Sequence, residues 1–288
     1  MIPARLLGIA VLAVLTMSLV PVLVKSTAAN ETVIGITRLA IAALAFTPFV
    51  VAGGRLRLLD ARQWRQLALI GLVFAVHWYT YFMSIKLATP AIAALTITTY
   101  GVQYLLLAWW FNGERAGPAE WLAIALCFTG CWLVTPRFDL ADDVSLGILI
   151  GLFSALLYAA LPLLHQRISA VGTAERSWGQ FSVALLCFLP LWGIGNWDAL
   201  APRDWGIIAA LGLVCTVVAH GLWVKASTEL PAIFTSMIFY LYLPLAMLAS
   251  VLALDEPMTA RKLLGAGLVI ATSITLSLYR YRRSTTAR

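Results

Sequence analysis

RQWRQLALIGLV at residues 62–73 and RDWGIIAALGLV at residues 203–214 are variants of one segment. At an offset of 141, Arg62, Trp64, Gly71, Leu72 and Val73 meet Arg203, Trp205, Gly212, Leu213 and Val214, and Pro90, Ala91 and Ile92 meet Pro231, Ala232 and Ile233. The register extends outward from there. Pro21 meets Pro162, and at an offset of 142 Ala42, Leu44, Phe46 and Pro48 meet Ala184, Leu186, Phe188 and Pro190, while Glu114 meets Glu256. Agreement within one residue of a single spacing over so many segments marks a duplicated chain, with residues 1–140 and 141–288 as its halves.

The content of each half follows from its composition. The 288 residues are 61% hydrophobic and 11% charged, with mean hydropathy +0.90, whereas a soluble domain carries about 25% charged residues. Apolar blocks near 5–26, 32–52, 64–87, 90–111, 117–135, 146–167, 174–195, 204–228, 231–253 and 259–280 each suffice to cross a bilayer. The run after Arg5 is too long for a secretory leader and lacks a small-residue cleavage pattern, so it reads as a retained first span. Short loops leave no room for a soluble domain, which confines function to the bundle. Five spans per half is an odd number, so the second half enters the membrane upside down. The expected fold is an all-α membrane protein of ten transmembrane helices in two inverted five-helix repeats, an arrangement suited to alternating access.

Charge sets the expected orientation. With both termini inside, the cytoplasmic segments collect thirteen Lys and Arg, including Arg55, Arg57, Arg62, Arg65, Arg176 and the tail from Arg280 to Arg288. The opposite side collects six, Lys25, Lys86, Arg137, Arg203, Arg261 and Lys262, and Arg38 lies within the second span. This bias predicts cytoplasmic termini. The net charge of +7 is therefore topological and anchors the tail at anionic lipid, with no call for nucleic acid.

Motifs for other chemistry are missing from the sequence. Cys127, Cys131, Cys187 and Cys215 fall inside spans and read as small packing residues; Cys127 and Cys131 share a face without further ligands nearby, so neither a metal nor another cofactor is expected. No H-E-x-x-H, G-x-S-x-G, P-loop or paired intramembrane aspartates occur, so an enzyme is not expected. A channel or passive scaffold is the reading from another class.

Arg38 to Pro48 (RLAIAALAFTP), the turn from Lys86 to Ala94, Gly113-Glu114 and Asp255-Glu256 together resemble the EamA-like branch of the drug/metabolite transporter superfamily. Within it, His77 to Trp110 is similar to the aromatic amino acid exporters of the YddG type. The resemblance implies a multi-pass carrier in a bacterial inner membrane, bound to lipid and exporting a small-molecule substrate. Aromatic and other neutral amino acids are the first expectation; drug-like or other metabolites are the alternative. One departure is that Gln103 stands where many relatives have a proline, opposite Pro244 in the other repeat.

The resemblance further implies a cavity between helices 1, 3, 4, 6, 8 and 9. Polar groups deep in a bilayer normally face the bundle interior. The candidate substrate residues are His77 and Tyr81, Thr96, Tyr100 and Gln103, Tyr158, His220 and Trp223, and Tyr240, with Ser154 and Ser236 beside them. Such an aromatic lining with few polar tips suits a planar, partly apolar solute. Trp64, Trp109, Trp110, Trp121, Trp192, Trp197 and Trp205 read instead as interfacial belts. His165 reads as interfacial, Arg38 as reaching toward the outer surface along its stem, and Glu114 and Glu256 as turn-stabilising acids. No acid lies near mid-membrane, which leaves no carboxylate proton relay and disfavours cationic cargo; one deep arginine underprovides a phosphate site.

Overall fold

The computed structural model describes residues 4–112, 117–133, 139, 141–230 and 232–286, and its regular secondary structure is helical throughout. We number the helices α1 (Ala4–Ser26), α2 (Glu31–Gly53), α3 (Ala61–Leu87), α4 (Pro90–Thr98 continued by Tyr100–Asn112) and α5 (Pro118–Leu133). The second half supplies α6 (Asp143–Gln166), α7 (Thr173–Ile194), α8 (Pro202–Glu229), α9 (Ala232–Phe239 continued by Tyr242–Leu254) and α10 (Ala260–Thr286). Among the described residues nine helices are long and apolar enough to cross a membrane. The remaining one, α5, is shorter, and residues 134–138, like Gly113, Glu114 and Pro231, lie outside the description.

Helix starts follow local chemistry. Asn30, Thr89 and Asp142 cap α2, α4 and α6 by accepting the N–H of Val33, Ile92 and Ser145, and Asp60 with Gln63 forms a capping box on α3. Gly54, at φ 62°, ends α2 in the left-handed conformation that glycine adopts without strain. Glu256 accepts from the Ala91 N–H and Ser250 Oγ and pairs with Lys262 at 2.6 Å, so it fastens the start of α4 to the α9–α10 turn. Burial pushes its carboxyl up, and the hydrogen bonds from Lys262 and Ser250 outweigh that, holding it below the ordinary carboxylate range.

Packing repeats the sequence duplication. Three helices pack on their own repeat counterparts: α2 on α7, α4 on α9 and α5 on α10. The α3–α6 pair, which makes the most extensive interface, has α8–α1 as its image. Close approach uses small residues, as expected where lipid removes the hydrophobic drive between helices. A Cβ on Gly71 would overlap Val183 of α7, and one on Gly130 would lie 2.7 Å from Val269 and 2.9 Å from the Gly265 carbonyl of α10.

The helices are interrupted at matched and unmatched places. α4 breaks at Thr99 and α9 at Tyr240–Leu241, positions equivalent at the offset of 141. α1 breaks at Ser18–Leu19, just before Pro21, whereas its counterpart α6 runs unbroken through Pro162 against α3. α8 contains a π-helical turn, Leu213–Val218, that α3 lacks. Pro162 thus interrupts no helix, while Pro21 and Pro244 each follow a break, as a residue unable to donate the i→i−4 bond should.

Candidate functional site

Residues flanking three of these breaks meet in the middle of the bundle. Met17 and Val20 of α1, Ile97 of α4, and Phe239 and Tyr242 of α9 line one cavity with Arg38, four residues of α3, Tyr158 of α6 and His220 of α8. Its volume is about 20 Å³, room for a water and far below the roughly 300 Å³ of a working ligand pocket, so the site is closed around itself.

The rings are held by hydrogen bonds and by one another. Ser154 Oγ donates to the His77 carbonyl at 2.8 Å, and His77 Nδ1 lies 3.0 Å from the Ser154 carbonyl. With that hydroxyl proton committed, Nδ1 carries the imidazole proton as donor and Nε2 is the acceptor. The imidazole stacks on Tyr158 at 4.7 Å and on Tyr81 at 5.9 Å. The Tyr81 and Tyr242 hydroxyls meet at 2.5 Å and tie α3 to α9. His220 sets its edge against Phe74 and Trp78, with centroids 5.6 and 5.5 Å apart.

Arg38 departs from expectation. It is 0% exposed and does not reach the surface. Its guanidinium lies 4.2 Å from the Trp78 ring centroid and 5.2 Å from that of Phe82, and Nε donates to Thr216 Oγ1 at 2.9 Å. Thr216 sits in the π-helical turn, where its hydroxyl donates to the Leu211 carbonyl at 2.8 Å and so presents a lone pair to Arg38. Snorkelling fails because Trp78 and Phe82 hold the head by cation–π attraction within the bundle. Among the described residues Nη1 and Nη2 have no hydrogen-bond partner.

A second cavity of about 10 Å³ shares Tyr158 and His220 with the first and continues past Trp223 to His165, Gln180 and Ser227. His165 is therefore buried rather than interfacial, with Nε2 2.7 Å from Gln180 Oε1. The two ends of the bundle are closed differently. At the end carrying Asp204, Lys25 Nζ donates to the carbonyls of Lys86 and Ala88 at 2.8 and 2.9 Å, and Lys86 Nζ donates back to Thr27 O at 2.6 Å. Asp204 accepts from Thr27 Oγ1, Ala28 N and Ala201 N at 2.8, 2.8 and 2.9 Å, and Asn196 bridges Asn30 and Ala28. At the end carrying Arg176, closure uses Arg176 Nη1 to Thr228 Oγ1 at 2.7 Å, the His165–Gln180 contact, and an apolar cluster of Leu6, Ala10, Ala226 and Leu230.

Of the candidates read from sequence, His77, Tyr81, Tyr158 and His220 line the central cavity, and Trp223 lines the second. Tyr100 stands one ring behind, 5.1 Å from Tyr158 and 4.7 Å from Phe239. Thr96, Gln103 and Tyr240 line neither cavity. Thr96 bonds the Ala93 carbonyl and packs against Gly151; Gln103 Nε2 donates to Thr99 Oγ1 at 2.8 Å and approaches Leu152 O at 3.3 Å; Tyr240 lies over Gly101. The Gln103 amide thus bonds Thr99 at the interruption of α4, from the position that Pro244 holds in α9. Arg38, Trp78, Phe82, Phe239 and Tyr242 were missed as lining residues, as were the apolar Met17, Val20 and Ile97. Ser236 has no described side chain.

The tryptophans read as belts divide. Trp64, Trp110, Trp121, Trp192 and Trp205 are exposed, whereas Trp197 is partly buried between Trp192 and Trp205. The Trp109 side chain lies outside the description.

Comparison with known proteins gives two kinds of match. The sequence pattern of the EamA-like transporter family fits residues 5–135 and again residues 145–278. The chain is 25% identical over 68% of its length to an uncharacterized transporter, YwfM, of Bacillus subtilis, and 26% identical over 82% to a riboflavin transporter of Rhizobium johnstonii. It is 27% identical over 68% to the threonine/homoserine exporter of Escherichia coli. These alignments span 63%, 77% and 65% of the respective relatives. A crystal structure aligns with a TM-score of 0.70 at 19% identity, over 98% of this chain and 99% of that one, and shows the fold alone.

Proposed function

The chain belongs to the EamA-like transporter family, and from that premise we propose that it carries neutral amino acids out of the cell by alternating access. The observation that carries this reading is the ring-lined central cavity, built where residues from both repeats meet and closed at both ends. Two rearrangeable halves around one enclosed site are what a carrier requires and a pore does not. Positive-inside counting makes the Arg176 end cytoplasmic and the Asp204 end external, in a bacterial inner membrane. Exchange of conformation between equivalent helices of repeats 1–140 and 141–288 then opens the site to either side in turn.

Aromatic amino acids are the favoured cargo, since Tyr81, His77 and Tyr158 offer faces on which a ring stacks. One relative is named for threonine and homoserine, another for riboflavin, so both amino acids and a larger ring compound occur as cargo in related proteins. The test is counterflow in proteoliposomes loaded with phenylalanine, tryptophan, threonine, alanine or riboflavin. We expect external labelled phenylalanine to enter faster against internal phenylalanine than against buffer. Entry independent of internal solute would identify a channel, and acceleration by riboflavin alone would remove amino acids as the cargo.

A further inference from the structure

On the reading of the chain as a carrier, we propose that Arg38 is the anchor for a carboxylate, so that the cargo is a small monocarboxylate such as an amino acid. Guanidinium offers five N–H bonds in a planar fork; here one is used, by Thr216, and the four on Nη1 and Nη2 meet no acceptor. The faces of Trp78 and Phe82 offset part of the charge, but a ring face does not close a fork. A purely structural arginine at this depth has its fork filled by a carboxylate or by backbone carbonyls. Neither ion pair among the described residues involves Arg38, and no acidic residue lines the cavity.

The fork therefore awaits an oxyanion from outside the protein, and charge selects which one. One cation matches one carboxylate, whereas a phosphate monoester near its second ionisation brings close to two negative charges and would leave one uncompensated in an apolar chamber. The rest of the chamber fits the other end of an amino acid. Tyr158, whose hydroxyl also lacks a partner, and His77, whose Nε2 is an acceptor, line the same cavity and suit an ammonium group and a side chain.

The experiment uses purified full-length protein and two readouts, ligand-dependent thermal stability and proteoliposome uptake, with phenylalanine, phenylalanine amide and glucose 6-phosphate as probes. The amide keeps ring and ammonium and removes only the negative charge. In the wild type the amide should stabilise and compete about tenfold or more less effectively than the acid. Arg38→Gln should abolish that preference, and Arg38→Lys, which keeps the charge without the fork, should restore part of it. Equal action of acid and amide on the wild type overturns the inference even if both variants fail to fold. Preference for glucose 6-phosphate also overturns it, in favour of phosphate. Stabilisation by the acid without any uptake leaves the anchor standing and removes the transport reading.

Discussion

Tyr158 is the side chain that offers the most direct test of recognition, because it stacks on His77 and lines both cavities. Tyr158→Ala should weaken phenylalanine by roughly 1 kcal/mol or somewhat more, about fivefold to tenfold, and alanine less, read from uptake at matched protein levels. Equal losses for both solutes would make the ring a packing element. Gln103→Leu should behave differently from any lining residue. Its amide bonds Thr99 and α6, so the expected loss is in thermal stability, with the order of substrate preference unchanged. These contrasts mark how far the sequence reaches. Depth in the bilayer identified His77, Tyr81, Tyr158 and His220, since polar groups there must turn inward. It could not separate Gln103 from them, because an amide serving its own helix break and an amide facing a solute occupy the same depth. Arg38 was misread for the complementary reason: a long stem permits escape to the surface, and only the placement of Trp78 and Phe82 shows that the head stays.

At the scale of elements, the loops between α1 and α2 and between α7 and α8 are joined through one carboxylate. Asp204 holds Thr27, Ala28 and Ala201 together, while Lys25 and Lys86 cross to the carbonyl ends of each other's helices. Asp204→Ala removes three acceptor contacts and should loosen this end. A cysteine at Ile97 in a background lacking the four native cysteines should then react faster with an impermeant maleimide added from the Asp204 side. An unchanged rate would mean that the latch does not govern access. The sequence exposed these loops only as short and charged. Their lysines entered as orientation signals, and nothing in spacing told that each would cap a neighbour's helix.

For the whole molecule, the duplication was legible because two copies of one pattern survive at spacings of 141 and 142, and the packing of α2 on α7, α4 on α9 and α5 on α10 repeats it. Orientation remains a matter of charge, and it has a direct measurement. A cytoplasm-dependent reporter fused after Arg288 or inserted near Arg57 should be active, and one near Asp142 inactive. Activity at Asp142 would reverse the assignment of both ends. Where sequence could not reach was the difference between the halves. Equivalent helices fold here into unequal shapes: α1 is broken where α6 is regular, and α8 is locally underwound where α3 is regular.

The π-helical turn of α8 carries one more implication. Arg62 to Pro90 and Arg203 to Pro231 are separated by equal numbers of residues, so the wide turn was not created by inserting a residue. It is a conformational defect, in the sense used for a dislocation in a crystal, present in one repeat and absent from its twin. If the halves trade shapes, the defect is annihilated in α8 and nucleated in α3, and the total number of such defects in the molecule is conserved. A cycle of that kind returns in the second helix the backbone geometry it surrenders in the first, so the backbone cost of the defect itself largely cancels between the two end states.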